Sequence, residues 1–271
     1  MSSDAPSFLD TVLITGASSG LGAEFARQLA PVVNHLILVA RREDRLQSLS
    51  EELFASHPHL AINVVAVDLA TTDGRENLFQ YLSGREITPT LLINNAGLGD
   101  YGTFADSDWA KTQAMIDVNM TALTQLCHQY IPGMKSQGAG AIINVSSLAS
   151  TLPIPDFAVY AATKAYVSSF SEALRLELAE DSIPVLALCP GPVSTEFGQV
   201  AAREEKKFQI SGYNLLYVDK EQVVTEAING LLQNQPRVYP GWKVALLAGA
   251  ITALPLFAIR AYMSNRPRKS Q

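Results

Sequence analysis

Residues 11–22 read Thr11-Val12-Leu13-Ile14-Thr15-Gly16-Ala17-Ser18-Ser19-Gly20-Leu21-Gly22. The first five are apolar or β-branched and stop at a glycine, as a short buried strand does. Beyond Gly20, residues Leu21, Phe25 and Leu29 recur at helical spacing. A strand therefore passes into a helix through a turn of glycine and serine. Gly16 lets the chain leave the strand sharply. The first N–H groups of the helix point back at the turn and carry the positive end of its dipole, which suits an anion such as phosphate. Ser18 and Ser19 can add hydroxyl donors, and Gly22 lets the helix approach the sheet. The glycines fall at 16, 20 and 22, not at the G-x-G-x-x-G spacing. A plain turn between strand and helix is the other reading.

The same alternation continues along the chain. Strands are predicted at Leu36–Val39, Ile62–Val67, Leu91–Asn94, Ala141–Ser146 and Val185–Leu188, with an edge strand at Arg237–Tyr239. Helices are predicted at Asp44–Phe54, Asp73–Leu82, Asp108–Ile131, Tyr160–Ala179 and Glu221–Leu232. Near-continuous apolar strands separated by helices imply a mainly parallel sheet covered on both faces. With no linker or repeat to divide it, the chain reads as one doubly wound α/β domain over residues 8–240, followed by an apolar helical extension at 241–271. Ligands in such sheets bind at the carboxyl ends of the strands, so the residues after each strand carry the functional argument.

Composition agrees with a packed enzyme-sized domain. Hydrophobic residues make up 48% and charged residues 17% of 271, and the net charge is −6. That charge disfavours a nucleic-acid partner. Cys127 and Cys189 read as separate buried thiols, consistent with a reducing, cytoplasmic setting. The four histidines show no metal spacing, so no metal is expected. Met1–Ser7 has no apolar signal core.

The second strand is followed by Ala40, Arg41 and Arg42. A protein that binds NAD often has Asp or Glu there, accepting from the ribose 2′-hydroxyl. Arginine instead suits a 2′-phosphate, so the turn favours NADP(H) over NAD(H). Solvated charges at a helix start are the alternative. Asp68 and Leu69 close the third strand, where Asp68 could simply cap the next helix. Asn94-Asn95-Ala96-Gly97 closes the fourth; its small residues would let a ribose lie close to the backbone, or it is a plain turn.

Tyr160 and Lys164 are four apart, on one face of a helix. A free tyrosine titrates near 10; a neighbouring ammonium lowers this, as does an oxidised nicotinamide nearby, and a drop of about two to three would poise the phenol for proton transfer. Alone, such a pair could be a surface helix pair. Ser146-Ser147 ends the fifth strand, with Ser147 thirteen residues before Tyr160; a strand-end turn is its bland reading.

Taken together, Thr-Gly-x-x-x-Gly-x-Gly, Asp68-Leu69, the NNAG segment, Asn119, Ser147, Tyr160-x-x-x-Lys164 and Pro190-Gly191 resemble the short-chain dehydrogenase/reductase family over about residues 10 to 240. The resemblance implies a Rossmann domain and a set of roles. Tyr160 is the acid/base, Ser147 holds the substrate oxygen, and Lys164 tunes the tyrosine and binds the nicotinamide ribose. Asn119 anchors a proton-relay water. The cofactor would lie along Gly16, Ser18, Ser19, Gly20, Leu21 and Gly22, then Arg41 and Arg42. Asp68 and Leu69 flank adenine, while Asn95, Ala96 and Gly97 lie along the ribose and brace the sheet. Pro190, Gly191, Val193 and Thr195 hold the carboxamide. A homodimer or homotetramer through the helices at 108–131 and 160–179 follows by analogy.

The expected reaction is NADP(H)-dependent interconversion of a carbonyl and a secondary alcohol. Phe197, Phe208, Tyr213 and Leu215 suggest a hydrophobic substrate, or else ordinary loop packing. A regulator that uses the fold only to sense NADP(H) is the rival class. Val244–Ile259 is apolar apart from Thr252, lies between Lys243 and Arg260, and precedes Arg266, Arg268 and Lys269. It could pack on its own subunit or a partner copy, lie on a membrane surface, or span one.

Overall fold

The computed structural model describes residues 6–203 and 216–264. Phe208, Tyr213, Leu215, the charged cluster at 204–207 and the basic residues Arg266, Arg268 and Lys269 lie outside the described residues.

Seven strands, β1 (Thr11–Thr15), β2 (His35–Ala40), β3 (Ala61–Ala66), β4 (Leu91–Asn94), β5 (Ala141–Val145), β6 (Val185–Leu188) and β7 (Arg237–Val238), form one sheet in the order β3-β2-β1-β4-β5-β6-β7. Every pairing is parallel. The order reverses beside β1, so β1 and β4 leave the sheet in opposite lateral directions and open a crevice at their carboxyl ends. β4, β5 and β6 are buried at every position, which is why they read as continuous apolar runs.

Alternate side chains divide between two cores. One lies under α1 (Gly20–Leu29), α2 (Glu43–Ser56) and α8 (Lys220–Leu232), with Ile14, Phe25, Leu36 and Val223 in it. The other lies under α3 (Thr72–Ser83), α5 (Leu123–Gln137) and α6 (Ala158–Glu177), with Leu13, Leu78, Leu126 and Val167. Fully burying each Leu, Ile or Phe contributes about 1.5–3 kcal/mol. Both cysteines are buried and free.

The long helix expected at 108–131 differs in two ways. Asp108 caps α4 (Trp109–Ile116) by accepting from the Ala110 N–H at 2.8 Å. A π-helical segment, Asp117–Ala122, then joins α4 to α5. The helix also runs through Pro132 to Gln137. Pro132 removes the hydrogen bond to the His128 carbonyl, but His128 is on the exposed side, where water can satisfy that group. Met134, fully buried, holds the last turn in the core.

The segment after β6 contains α7 (Phe197–Ala201), and the chain ends in α9 (Trp242–Ala253) and α10 (Leu256–Ser264). α9 packs on its own chain through Val244, Ala248 and Ile251, while Trp242, Leu246 and Phe257 point outward and are more than 70% exposed. No helix among the described residues is long and apolar enough to cross a membrane.

Candidate active site

The glycine turn sits at the switch in strand order. Gly16 has φ +66°, and a Cβ on it would lie 2.9 Å from the Ala96 Cα. A Cβ on Gly22 would fall 2.4 Å from the Gly16 carbonyl oxygen, so only glycine permits α1 to lie this close. The turn is braced from β4. Asn95 donates through Nδ2 to the Thr15 carbonyl at 2.9 Å, and the Asn95 and Ala96 N–H groups both donate to the Thr15 hydroxyl at 3.0 Å. Thr15 is 1% exposed, a brace that the sequence reading missed. Ser19 precedes α1 and makes no side-chain capping bond. The free N–H groups of the first turn therefore face the crevice.

One cavity of about 840 Å³ runs from this turn across the strand tips. Gly16, Ser18, Ser19, Gly20, Leu21, Arg41, Arg42, Asp68, Leu69, Asn95, Ala96, Gly97, Pro190, Gly191, Val193 and Thr195 all line it, as do Ser147, Tyr160 and Lys164. Gly22 and Asn119 lie behind the wall. The two arginines behave differently. Arg42 donates to Ser18 and Ser19 and pairs with Glu196 at 2.8 Å. Arg41 is the freer cation, 61% exposed and 4.0 Å from Asp68. Glu196 is held below the usual carboxylate range by its hydrogen bonds to Arg42 and Arg45. It ties the segment after β6 to the turn after β2 across the cavity mouth.

At the other end, Ser147 lines the cavity with Tyr160 and accepts from the Ala149 N–H at 3.1 Å. Ser146 turns inward, bonding the Lys164 carbonyl and the Ser168 hydroxyl at 2.8 Å each. Lys164 donates to the Val145 carbonyl at 2.8 Å, and its Nζ is 5.7 Å from the centre of the Tyr160 ring. Phe157 stacks on Tyr160 at 4.2 Å, and Phe197 approaches at 5.4 Å.

These aromatic neighbours correct one expectation. Burial pushes the Tyr160 phenol up to about 12, with the neighbouring Ser147 hydroxyl opposing it. The ammonium was expected to pull it down, but burial also lowers Lys164 to about 8. In the chain alone, desolvation outweighs the pairing of charges. The phenol thus holds its proton near neutrality, as a proton donor should.

Asn119 is 1% exposed and lies in the π-helical segment. Its Nδ2 donates to the Leu98 carbonyl and the Thr163 hydroxyl, and its Oδ1 accepts from the Leu98 N–H at 2.8 Å. It fixes the chain after β4 against α6. Among the described residues no cluster suits a metal ion. The sequence reading also missed Phe157, Thr163, Glu196 and the cavity-lining residues of α9 and α10. Only Phe157 carried a local signal, as the residue opening the tyrosine helix.

The family model for short chain dehydrogenases matches residues 10–206. A sulfoacetaldehyde reductase of Chromohalobacter salexigens is 37% identical, covering 69% of this chain and 74% of that protein. A very-long-chain 3-oxoacyl-CoA reductase-like protein of Arabidopsis thaliana is 31% identical over 86% of this chain and 73% of that one. Among solved structures, a short-chain dehydrogenase from Sphingobium yanoikuyae in complex with NADPH superposes with a TM-score of 0.79 at 31% identity, covering 97% of this chain and 98% of that. A bulky-bulky ketone specific alcohol dehydrogenase from Comamonas testosteroni gives 0.75 at 27% identity, with 96% of each covered. With its seven-stranded parallel sheet and a family match over most of its length, the chain belongs to the short-chain dehydrogenases.

Proposed function

We propose that the chain is an NADP(H)-dependent enzyme that interconverts a carbonyl and a secondary alcohol on a hydrophobic substrate. The observation that carries this is the opening of one cavity onto both a glycine turn with two arginines and the group formed by half-buried Ser147 with buried Tyr160 and Lys164. The residues fit the cofactor. The free start of α1 and the hydroxyls of Ser18 and Ser19 suit a pyrophosphate, and Arg41 suits a 2′-phosphate. The NADPH in the Sphingobium yanoikuyae structure supports the same reading. Bound there, NADPH supplies the hydride that reduces a carbonyl carbon.

The chain's own residues do the rest. Ser147 holds the carbonyl oxygen by a hydrogen bond that strengthens as negative charge grows on it. Tyr160 gives that oxygen its phenolic proton. Lys164, held by the Val145 carbonyl, keeps a positive charge near the phenolate that forms. Asn119 fixes the wall behind Lys164 and the turn at Leu98. Phe157 and Phe197 keep water from the ring. The catalytic domain is taken as residues 8–240, with 241–271 as an extension, and assembly as a homodimer or homotetramer belongs to the same reading.

The test is absorbance loss of NADPH against a panel of ketones and aldehydes, run beside Tyr160→Phe. Turnover by the parent and its loss in Tyr160→Phe, with NADPH binding retained, supports the reading. NADPH binding with no turnover of any carbonyl would favour a sensor of the cofactor. A second feature points to peripheral contact with an anionic lipid surface. The outer face of α9 and α10 exposes Trp242, Leu246 and Phe257 beside Lys243 and Arg260. Co-sedimentation with phosphatidylglycerol vesicles tests it, and the full chain remaining in the supernatant counts against it.

A further inference from the structure

We infer that the C-terminal helix pair is the substrate-reading element of this enzyme, and that it selects a neutral carbonyl compound with an extended apolar body. The inference rests on the reading of the site as a carbonyl reductase. Leu247 and Ile251 of α9, Leu254 at its C-terminal end, and Ile259 and Met263 of α10 line the same cavity as Ser147 and Tyr160. The β5–α6 connection lines it too, through Leu152, Ile154 and Phe157. α9 is anchored beside the reaction end. Val244 is fully buried, and its Cγ2 lies 2.9 Å from where a Cβ on Gly191 would stand. The helix therefore starts against the Pro190-Gly191 turn and runs along the cavity.

Charge divides the cavity in two. Its charged lining residues, among those described, are Arg41, Arg42, Asp68 and Glu196 around the glycine turn and Lys164 behind the tyrosine. None is on α9, α10 or the 148–157 wall. A sulfonate, carboxylate or phosphate placed between those walls would lose its hydration and meet no cation among the described residues that line them. An alkyl or aryl body placed there is removed from water by apolar side chains of both segments. Each added methylene is worth about 0.8 kcal/mol on full burial, or about fourfold in kcat/KM. The carbonyl then sits at Tyr160 while the rest of the molecule extends beneath the helix pair.

α9 also explains why the sequence leaves this function hidden. Apart from Lys243 and Thr252 it is apolar around its circumference, so no stripe distinguishes the cavity-facing side. The family model stops at residue 206 and does not reach it.

The experiment measures kcat/KM of the enzyme (residues 1–271) with NADPH across 2-butanone to 2-dodecanone, together with a long keto acid ending in a carboxylate. The expected result is a rise of about fourfold per methylene until the groove is full, with most of that gain lost for the keto acid. In Leu254→Ala and Ile251→Ala the ratio of long-chain to short-chain kcat/KM should fall by about tenfold. A ratio is unaffected by a reduced fraction of folded enzyme. Turnover of 2-butanone with a flat chain-length series, or long-to-short ratios unchanged in both variants, overturns the assignment and leaves the reductase reading in place. Failure to turn over any carbonyl overturns both.

Discussion

Asp100 receives both prongs of the Arg203 guanidinium, Nε to Oδ1 at 2.9 Å and Nη2 to Oδ2 at 2.6 Å. The carboxylate is 7% exposed. The pair joins the chain after β4 to the end of the segment after β6, and beside it the Tyr101 N–H donates to the Ala201 carbonyl at 2.8 Å. Phe197, packed near Tyr160, lies on the segment held this way. Removing Arg203 leaves a buried carboxylate without its partner. Arg203→Met should destabilise the protein by about 2 kcal/mol, the cost of leaving a buried acceptor unsatisfied, seen as a lower Tm, and should raise KM for the carbonyl substrate more than for NADPH. An equal rise in both constants would show that the pair does not act on the substrate side.

The two arginines after β2 should separate in their effects. Arg41 is exposed and makes only a long contact to Asp68, so its charge is available to a 2′-phosphate. Arg41→Ala should raise KM for NADPH by about tenfold or more and change that for NADH little, since a hydrogen bond to a charged group is worth about 1.5–3 kcal/mol. Arg42 also braces Ser18 and Ser19. Arg42→Ala should therefore weaken both cofactors. Initial rates with each cofactor decide between these patterns, and a loss of NADPH preference in Arg42→Ala alone would reverse the assignment.

How much of this was readable depends on the range of the interaction. The strands β1, β4 and β6 were legible because burial on both faces makes their runs continuous. The tyrosine–lysine face was legible because helical spacing is local. Four features were not. Thr15 braces a turn that is distant in sequence, and Glu196 meets Arg42 across 154 residues. The direction of the Tyr160 shift depends on Phe157 and Phe197, which no spacing rule sets against each other. The π-helical segment around Asn119 also left no glycine or proline to mark it.

Gly22→Ala tests how closely α1 must approach the turn. The new Cβ would meet the Gly16 carbonyl at 2.4 Å and Asn95 Nδ2 at 2.6 Å. Backbone cannot yield as a flexible side chain can, so the overpacking should cost about 1–3 kcal/mol. Because the displaced groups form the cofactor turn, the NADPH dissociation constant should rise as Tm falls. A drop in Tm with unchanged NADPH affinity would place the strain elsewhere.

The strongest pH prediction follows from the buried amine. Tyr160, at about 12, keeps its proton throughout the neutral range, so it sets no limit there. Lys164, at about 8, loses its charge as pH rises through that value. With the ammonium gone, the phenolate formed on proton transfer lacks its counter-charge. kcat/KM for reduction should be flat near pH 6–7 and fall above about 8. Stability moves the other way. The unfolded lysine titrates near 10.5 and the folded one near 8, so between these values the unfolded chain binds the extra proton. This group's contribution to stability therefore rises from pH 8 to 10.5 while activity declines. Lys164→Arg keeps its charge and should remove the falling limb, whatever its absolute rate. Reduction that accelerates through pH 8 in the parent enzyme would mean that the neutral amine is the working form.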